Sequence, residues 1–491
     1  MITFAISLVL LVLGYVVYSR VLEKIVSVKS SRRTPATTMA DGIDYVPMKR
    51  WKTFLIQFLN IAGVGPICGA IMGAQFGASS FLWIVFGSIF AGGVHDYISG
   101  YISLRWRGNS LPEIHGRYLG RKVKAIMRFF TVVLMLLVGA VFINTPATLL
   151  MNFTPDWDIL IWISVIFAYY LIATLLPIDK LIGRIYPVFG MLLLGMAVAI
   201  VVAFIIYKPD VPEIWNGLQN QHPHADTNPI FPMMFVSIAC GAISGFHATQ
   251  SPLMARCMTN EKEARPVFYG AMITEGVVAL IWAAAATVFY HEPMLQQLTI
   301  SPEGQPLGGN AMVGVIANTW FTPVIATVTI LGVISAAITS GDTALRSARL
   351  IVADIFHFDQ KPIMNRLLVA VPIFAITAGI LVFSLSDQKG FDIIWRYFAW
   401  CNQILAMVTL WALTIFLHEN NRHYIVTLIP ALFMTMVCST FILIAQNGGL
   451  GLSPAISYIG GGSFTLLTYV MFLLWIRKRR NDRKRLAAKN K

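Results

Sequence analysis

The sequence predicts an all-α, polytopic membrane protein, and three observations carry that prediction. First, 57% of the 491 residues are apolar and only 12% are charged, with a mean hydropathy of +0.69. Soluble domains carry about 25% charged residues, so this chain has too little polar surface to cover itself in water. Second, apolar runs recur that suit a hydrocarbon core of ~30 Å, which takes ~20 helical residues to cross. Third, Lys and Arg are segregated into alternate loops, as the preference of basic residues for cytoplasmic loops requires.

About thirteen transmembrane helices are expected, at 2–18, 53–77, 81–103, 125–148, 159–176, 185–207, 232–249, 267–290, 322–340, 366–386, 392–417, 424–445 and 462–476. The first has no basic residues before it and no small-residue cleavage site, so it reads as a retained membrane segment and not a signal peptide. With the N-terminus outside and the C-terminus inside, inside segments hold 34 of the 37 basic residues. The other three are Lys208 and Lys389 in outside loops and Arg396 within an apolar run. A missed or invented helix in mid-chain would scramble this separation. The net charge of +14 is thus a matter of topology. It sits in flanks at 20–52 and 105–128 and in a tail at 477–491, which reads as a topology anchor before it reads as a lipid-headgroup contact, so nucleic acid is not an expected partner. The five cysteines have no C-x-x-C spacing and read as small packing residues, not as a disulfide or zinc framework.

Two segments carry backbone breakers. The second contains Gly63-Val64-Gly65-Pro66 followed by Cys68-Gly69-Ala70-Ile71-Met72-Gly73. The seventh contains the near-copy Cys240-Gly241-Ala242-Ile243-Ser244-Gly245, leading into Phe246-His247-Ala248-Thr249-Gln250-Ser251-Pro252. Membrane helices interrupted at corresponding places in two halves of a chain point to a transporter's binding site. The competing reading is a pair of Gly-x-x-x-Gly packing faces. Segments two and seven lie five apart and so cross in opposite directions, which makes a repeated five-helix unit an inverted one. The expected organisation is a first helix and basic loop at 1–50, a first repeat of helices 2–6 at 51–230, and a second of helices 7–11 at 231–417. Two accessory helices at 418–476 and the basic tail at 477–491 complete it.

Ionisable residues inside these segments need a reason, since a charge at mid-bilayer costs about 2.5–3.5 kcal/mol on the insertion scale. His95 and Asp96 lie in the third segment, Glu275 in the eighth, and Asp342 at the cytoplasmic end of the ninth, all in the cytoplasmic half. Asp96 and Glu275 have no cation close by on their own helices and read as proton carriers, with His95 able to share the proton. A core histidine bonded to a carbonyl is the plainer reading of His95. For Asp342, Arg346 one turn on predicts a structural ion pair beside its ion-coupling role. Thr339 and Ser340 offer hydroxyl oxygens that, with carbonyls freed by the break in segment two, suit Na⁺. Hydroxyls bonded back to their own helix are the simpler expectation. Around the breaks, Gly63, Gly65, Pro66, Gln75, Gly245, His247, Thr249, Gln250 and Ser251 are the candidate substrate-binding residues, with Asn60 beside them. Half-helix N-termini there favour a carboxylate. The enzyme motifs H-E-x-x-H, P-loop and G-x-S-x-G are absent. His222-Pro223-His224 in an outside loop is at most a weak metal contact.

At these motifs the chain resembles the carbon starvation protein A (CstA) family. The resembling stretches are Gly63-Val64-Gly65-Pro66 with Ala74-Gln75-Phe76-Gly77, Gly93-Val94-His95-Asp96-Tyr97 leading to Ser110-Leu111-Pro112-Glu113-Ile114, and Gly241 through Gln250. Tyr269-Gly270-Ala271-Met272-Ile273-Thr274-Glu275-Gly276 and Asp342-Thr343-Ala344-Leu345-Arg346-Ser347-Ala348-Arg349 complete them. The resemblance implies a multi-pass transporter of the bacterial cytoplasmic membrane, associated with peptide uptake during carbon limitation. Related members carry pyruvate with protons, and the implied fold is the LeuT-like five-plus-five inverted repeat. The chain is shorter than the larger members, and the family does not lead one to expect the literal match of the two hexapeptides. The expected function is therefore cation-coupled import, by H⁺ or else Na⁺, of short peptides or small carboxylates by alternating access. No cofactor, no catalytic residues and no obligate protein partner are expected. The rival readings are a channel and an intramembrane metal-dependent enzyme using His95 and Asp96.

Overall fold

The structure, a computed structural model, describes residues 1–176, 178–301, 304, 306–386, 390–446 and 448–489. Of the sequence expectations, Lys389 and the last two residues of the basic tail lie outside the described residues. Among those described there is no strand, only two isolated bridges, so the chain is all-α.

Each of the predicted apolar segments falls on a helix or a pair of half-helices. They are α1 (Ile2–Val26), the broken α2 (α2a Arg50–Ile61 and α2b Gly65–Ala74), α3 (Ser79–Arg105), α4 (Arg121–Leu150), α5 (Ile159–Leu175) and α6 (Ile178–Tyr207). Then follow the broken α7 (α7a at 230–237 and α7b Gly245–Ala255), α8 (Glu261–His291), α9 (Pro323–Phe356), α10 (Ile363–Ser386), α11 (Gly390–Glu419), α12 (Ile425–Ile444) and α13 (Pro454–Lys489). Ten are long and apolar enough to cross a membrane unaided, and α2 makes an eleventh if its two halves, bent by 53°, count as one span. The 17-residue α5 is shorter, and neither half of α7 is long enough alone.

Two further helices of nine residues or more escape a reading based on apolar length. Leu111–Leu119 is only nine residues with Glu113 and Arg117 in its sequence, and Gly309–Trp320 is twelve residues in a loop. Helix α9 also continues sixteen residues past the predicted end at 340.

Burial sets the layers. In α3 and α8, 83% and 89% of the spanning window is buried, whereas in α13 only 11% is. The first two are central helices, and α13 presents its apolar surface outward, as lipid permits. Loop 27–49 folds against the face that bears the basic loops. There Met48 N–H donates to the Cys257 carbonyl at 3.0 Å, Tyr45 hydroxyl to the Arg107 carbonyl at 3.0 Å, and Arg256 Nε to the Gly108 carbonyl at 3.0 Å. Buried Glu261 draws in Arg32 and Arg105, each at 3.4 Å, and accepts from Lys29 N–H at 2.5 Å. Asp44 lies 3.9 Å from the buried Arg349.

On the opposite face Glu213 holds the first turn of α1. It accepts from the Met1 amine at 2.5 Å, Ile2 N–H at 2.8 Å and Thr3 N–H at 2.6 Å. Burial alone would raise its pKa, but these donors outweigh burial and hold the carboxyl down at about 2. A depressed folded pKa stabilises above the ordinary value of 4.5 and loses that contribution as pH falls through about 2. Glu213→Gln is therefore expected to cost about 1 kcal/mol locally at neutral pH. Faster hydrogen exchange at Ile2 and Thr3 is the readout, with the difference from the parent fading as pH drops from 4.5 towards 2.

Candidate functional site

The break in α2 follows from its sequence. Pro66 has no N–H to continue a ladder, and Gly63 N–H turns back to the Ile61 carbonyl at 2.8 Å. The Leu59 carbonyl, which Gly63 would serve in a regular helix, is taken instead by Thr339 Oγ1 at 2.9 Å and Ser340 Oγ at 3.1 Å from α9. Thr339 also bonds back to the Ser335 and Ala336 carbonyls, each at 3.0 Å, as the simpler expectation had it. Both hydroxyls thus sit on the α2 break, and Gly63 packs against Ser340 and Phe142.

The two hexapeptides are not structural equivalents. Cys68–Gly73 is helical and lies after its break, whereas 238–244 is the break in α7. The first copy serves as a packing face. A Cβ on Gly65 would lie 2.3 Å from Cys240 Sγ, and one on Gly69 would lie 2.8 Å from the Ser237 carbonyl oxygen. The small-residue stripe of α2b therefore seats the broken stretch of α7, so the packing and break readings both hold, one for each copy.

Two α11 amides that the sequence reading passed over satisfy the α7 break. Asn402 Oδ1 accepts from Phe246 N–H at 2.7 Å and Ser244 Oγ at 3.0 Å, and its Nδ2 donates to the Ala239 carbonyl at 3.3 Å. Gln403 Nε2 reaches the carbonyls of Ala239 (3.2 Å), Phe235 (3.4 Å) and Ile243 (3.4 Å). Adjacent Asn and Gln in an otherwise apolar run were the available signal, since such amides are costly in a membrane without partners.

At the centre, four groups from α3, α7b and α8 form one chain. His95 Nδ1 is 2.7 Å from Asp96 Oδ1, Asp96 Oδ2 is 2.8 Å from His247 Nδ1, and His247 Nε2 is 3.3 Å from Glu275 Oε2. All four are fully buried. His95, Asp96 and Glu275 come together here through His247, and Asp342 of α9 is not part of this four-group chain. His247, expected among the substrate-binding residues, contacts Asp96 and Glu275 here. Thr249 and Ser251 bond back to the Phe246 and His247 carbonyls, at 2.6 and 3.1 Å, and Gln250 bonds to Thr249 at 2.9 Å. Burying a net charge is costly, so the chain is best accommodated when its carboxylates and imidazoliums balance. Removing one proton from a balanced set leaves one uncompensated negative charge.

The expected Asp342–Arg346 pair is absent. Arg346 turns away to the C-terminal carbonyls of α5, donating to Leu176 O at 2.9 Å and to Ala173 O. Those carbonyls end a helix and lack intrahelical donors, which makes them strong acceptors for a guanidinium. Both oxygens of the fully buried Asp342 are without a hydrogen-bond partner among the described residues.

A cavity of about 330 Å³ opens on the face opposite the basic loops. Its walls include Met72 and Gln75 of α2, Ser237 of α7a, Arg396 of α11, and His222 from loop 208–229. Gln75 donates to Tyr290 hydroxyl at 3.4 Å. Burial, aided by neighbouring His224, pushes the His222 imidazole down to about 4, so it is neutral at pH 7. Its Nδ1 accepts from His224 N–H at 3.0 Å, which leaves the ring proton on Nε2. Among the described residues no group of three or more His, Cys, Asp or Glu is arranged to hold a metal ion.

An all-helical bundle with two interrupted helices in mutual contact is an arrangement that many secondary membrane transporters share. Solved structures share the fold. A Na⁺-coupled sialic acid symporter aligns with a TM-score of 0.53 at 17% identity, covering 95% of both chains. MhsT in complex with L-phenylalanine aligns with a TM-score of 0.57 at 13% identity, covering 86% of this chain and 98% of that one. The family model for carbon starvation protein CstA matches residues 1–159, 151–303 and 307–441, and the chain belongs to that family. An uncharacterized membrane protein of Haemophilus influenzae is 43% identical over 61% of this chain and 94% of its own length. The peptide transporter CstA of Bacillus subtilis is 26% identical over 87% of each chain. The pyruvate/proton symporter BtsT of Escherichia coli is 26% identical over 54% of this chain and 46% of its own. Against several such relatives the match spans about half their length.

Proposed function

We propose that the chain is a proton-coupled secondary transporter that imports short peptides or small carboxylates such as pyruvate by alternating access. The observation that carries this reading is the buried chain His95–Asp96–His247–Glu275, which joins three helices through proton-exchanging groups alone. A protein loading or unloading one proton there changes the charge buried between α3, α7b and α8, and so the balance between two arrangements of those helices. The names of its relatives support the substrate class.

Thirteen crossings, ten of them in two inverted five-helix repeats, with the N-terminus outside, complete the proposal. The breaks in α2 and α7, five segments apart, and the basic residues gathered on one face support it. In that orientation the 330 Å³ cavity faces outward, with the half-helices α2b and α7a in its wall, while loop 27–49 closes the cytoplasmic side. Thr339 and Ser340, with the Leu59 carbonyl between them and Asp342 one turn along, are a secondary position for Na⁺.

Purified protein in liposomes tests this with labelled alanyl-alanine and pyruvate under imposed pH or Na⁺ gradients. Accumulation is expected to follow the pH gradient, and flux indifferent to both gradients would end the coupled-transport reading. Product formation in detergent, without compartments, would favour an enzyme. Thr339→Ala is expected to leave proton-driven accumulation intact and to remove any component that Na⁺ drives. A Na⁺ component that survives the substitution would clear Thr339 of that role.

A further inference from the structure

On the basic face, α1, α2a and α8 meet around a cavity of about 630 Å³. Five cations line it: Arg20 and Lys24 from α1, Arg50 from α2a, and Lys262 and Arg265 from α8. One carboxylate faces them, Glu23, and it is engaged by Arg265 at 3.3 Å. The other four cations form no ion pair within 4 Å among the described residues. Like charges brought together by three separate helices repel one another, and an anion between them would relieve that repulsion. The cavity does not end there. Arg50 and Pro266 also wall an adjoining groove of about 510 Å³ whose remaining lining is Trp51 and Phe54. Trp51 is 53% exposed, and Phe54 lies against Phe58 with ring centroids 6.3 Å apart. A cationic pocket continuous with an aromatic, apolar groove at a helix seam matches one kind of molecule, an anionic headgroup with an acyl chain attached.

We infer that this seam binds an anionic phospholipid, its phosphate among Arg20, Lys24, Arg50 and Lys262 and an acyl chain along Trp51 and Phe54. A free phosphate would use the pocket but not the groove, and a simple topological flank would use neither.

The test uses the full chain, delipidated in detergent, with dioleoyl phosphatidylglycerol, dioleoyl phosphatidylcholine or glycerol 3-phosphate added. Phosphatidylglycerol is expected to raise the unfolding midpoint by about 3 °C or more beyond phosphatidylcholine. The double variant Arg50→Gln/Lys262→Gln is expected to lose at least half of that gain. Lys478→Gln/Arg480→Gln, which removes the same charge from the tail, is expected to keep it. Equal stabilisation by phosphatidylcholine, full retention of the gain in the Arg50/Lys262 variant, or the same loss in the tail variant would overturn the site. Glycerol 3-phosphate reproducing the whole gain would overturn the lipid as occupant. Native mass spectrometry of the unsubstituted protein gives an answer independent of the variants: retained phosphatidylglycerol in preference to phosphatidylcholine is expected, and no preference would refute the inference.

Discussion

Glu275→Gln is expected to abolish proton-driven accumulation while sparing substrate binding and exchange. Glutamine keeps the size of the side chain and its place 3.3 Å from His247, but it has no proton to give up. It mimics the protonated acid, and so fixes the Asp96–His247–Glu275 chain in its charge-balanced form. Exchange of one substrate molecule for another needs only that loaded form and continues. Net uptake requires the proton to leave on the far side, and this step is lost. Positioned proton transfer contributes ~10²–10⁴-fold in rate, so a fall in net accumulation of at least about 100-fold is the scale to look for. Uptake into liposomes under an imposed pH gradient measures the first property and counterflow under no gradient measures the second. Accumulation unchanged from the parent would remove Glu275 from the coupling site, and loss of both activities together would point to a structural role.

Much of the bundle was legible because membrane crossing imposes length and apolarity on each helix, and those are properties of a single segment. The acidic residues were legible for the same reason, since Asp96 and Glu275 stand out against apolar neighbours. What one sequence does not carry is which helices touch. His247 lies 151 residues from Asp96, and only the packing of α7b against α3 makes it the link between the two carboxylates. Asp342 shows the converse error. Arg346 is one turn away along the helix, yet the uncapped end of α5 offers it better acceptors than the carboxylate does. The twin hexapeptides show how weakly local sequence dictates conformation here. The first follows its break and winds as a helix against α7, while the second runs beside Asn402 and Gln403, whose amides support an unwound backbone.

That support leads to the largest expected loss of stability, from Asn402→Ala. In the membrane interior an unwound stretch persists only where protein supplies its hydrogen bonds. Asn402 supplies four, to Phe246 N–H, Ser244 Oγ, the Ala239 carbonyl and, at 3.5 Å, Cys240 Sγ, and it is fully buried. Alanine would orphan the Phe246 N–H and leave the Ser244 hydroxyl with only Cys240 Sγ at 3.6 Å, while Gln403 still reaches Ala239. An orphaned buried group costs about 1–3 kcal/mol and a lost hydrogen bond about 1, so about 2–4 kcal/mol is expected in all. Gln403→Ala removes a shared donor whose three contacts are all 3.2 Å or longer, and about 1 kcal/mol is expected from it. The order of the two effects is the sharper test. If Asn402 caps the N-terminus of α7b, its loss also frees the helix that carries His247, so proton-driven uptake should fall further than stability alone predicts. Denaturation midpoints in detergent, set beside uptake per folded molecule, separate the two contributions. An Asn402→Ala protein as stable as the parent would mean that the α7 break draws its hydrogen bonds from elsewhere. A stable variant with full uptake would also detach the break from the movement of His247.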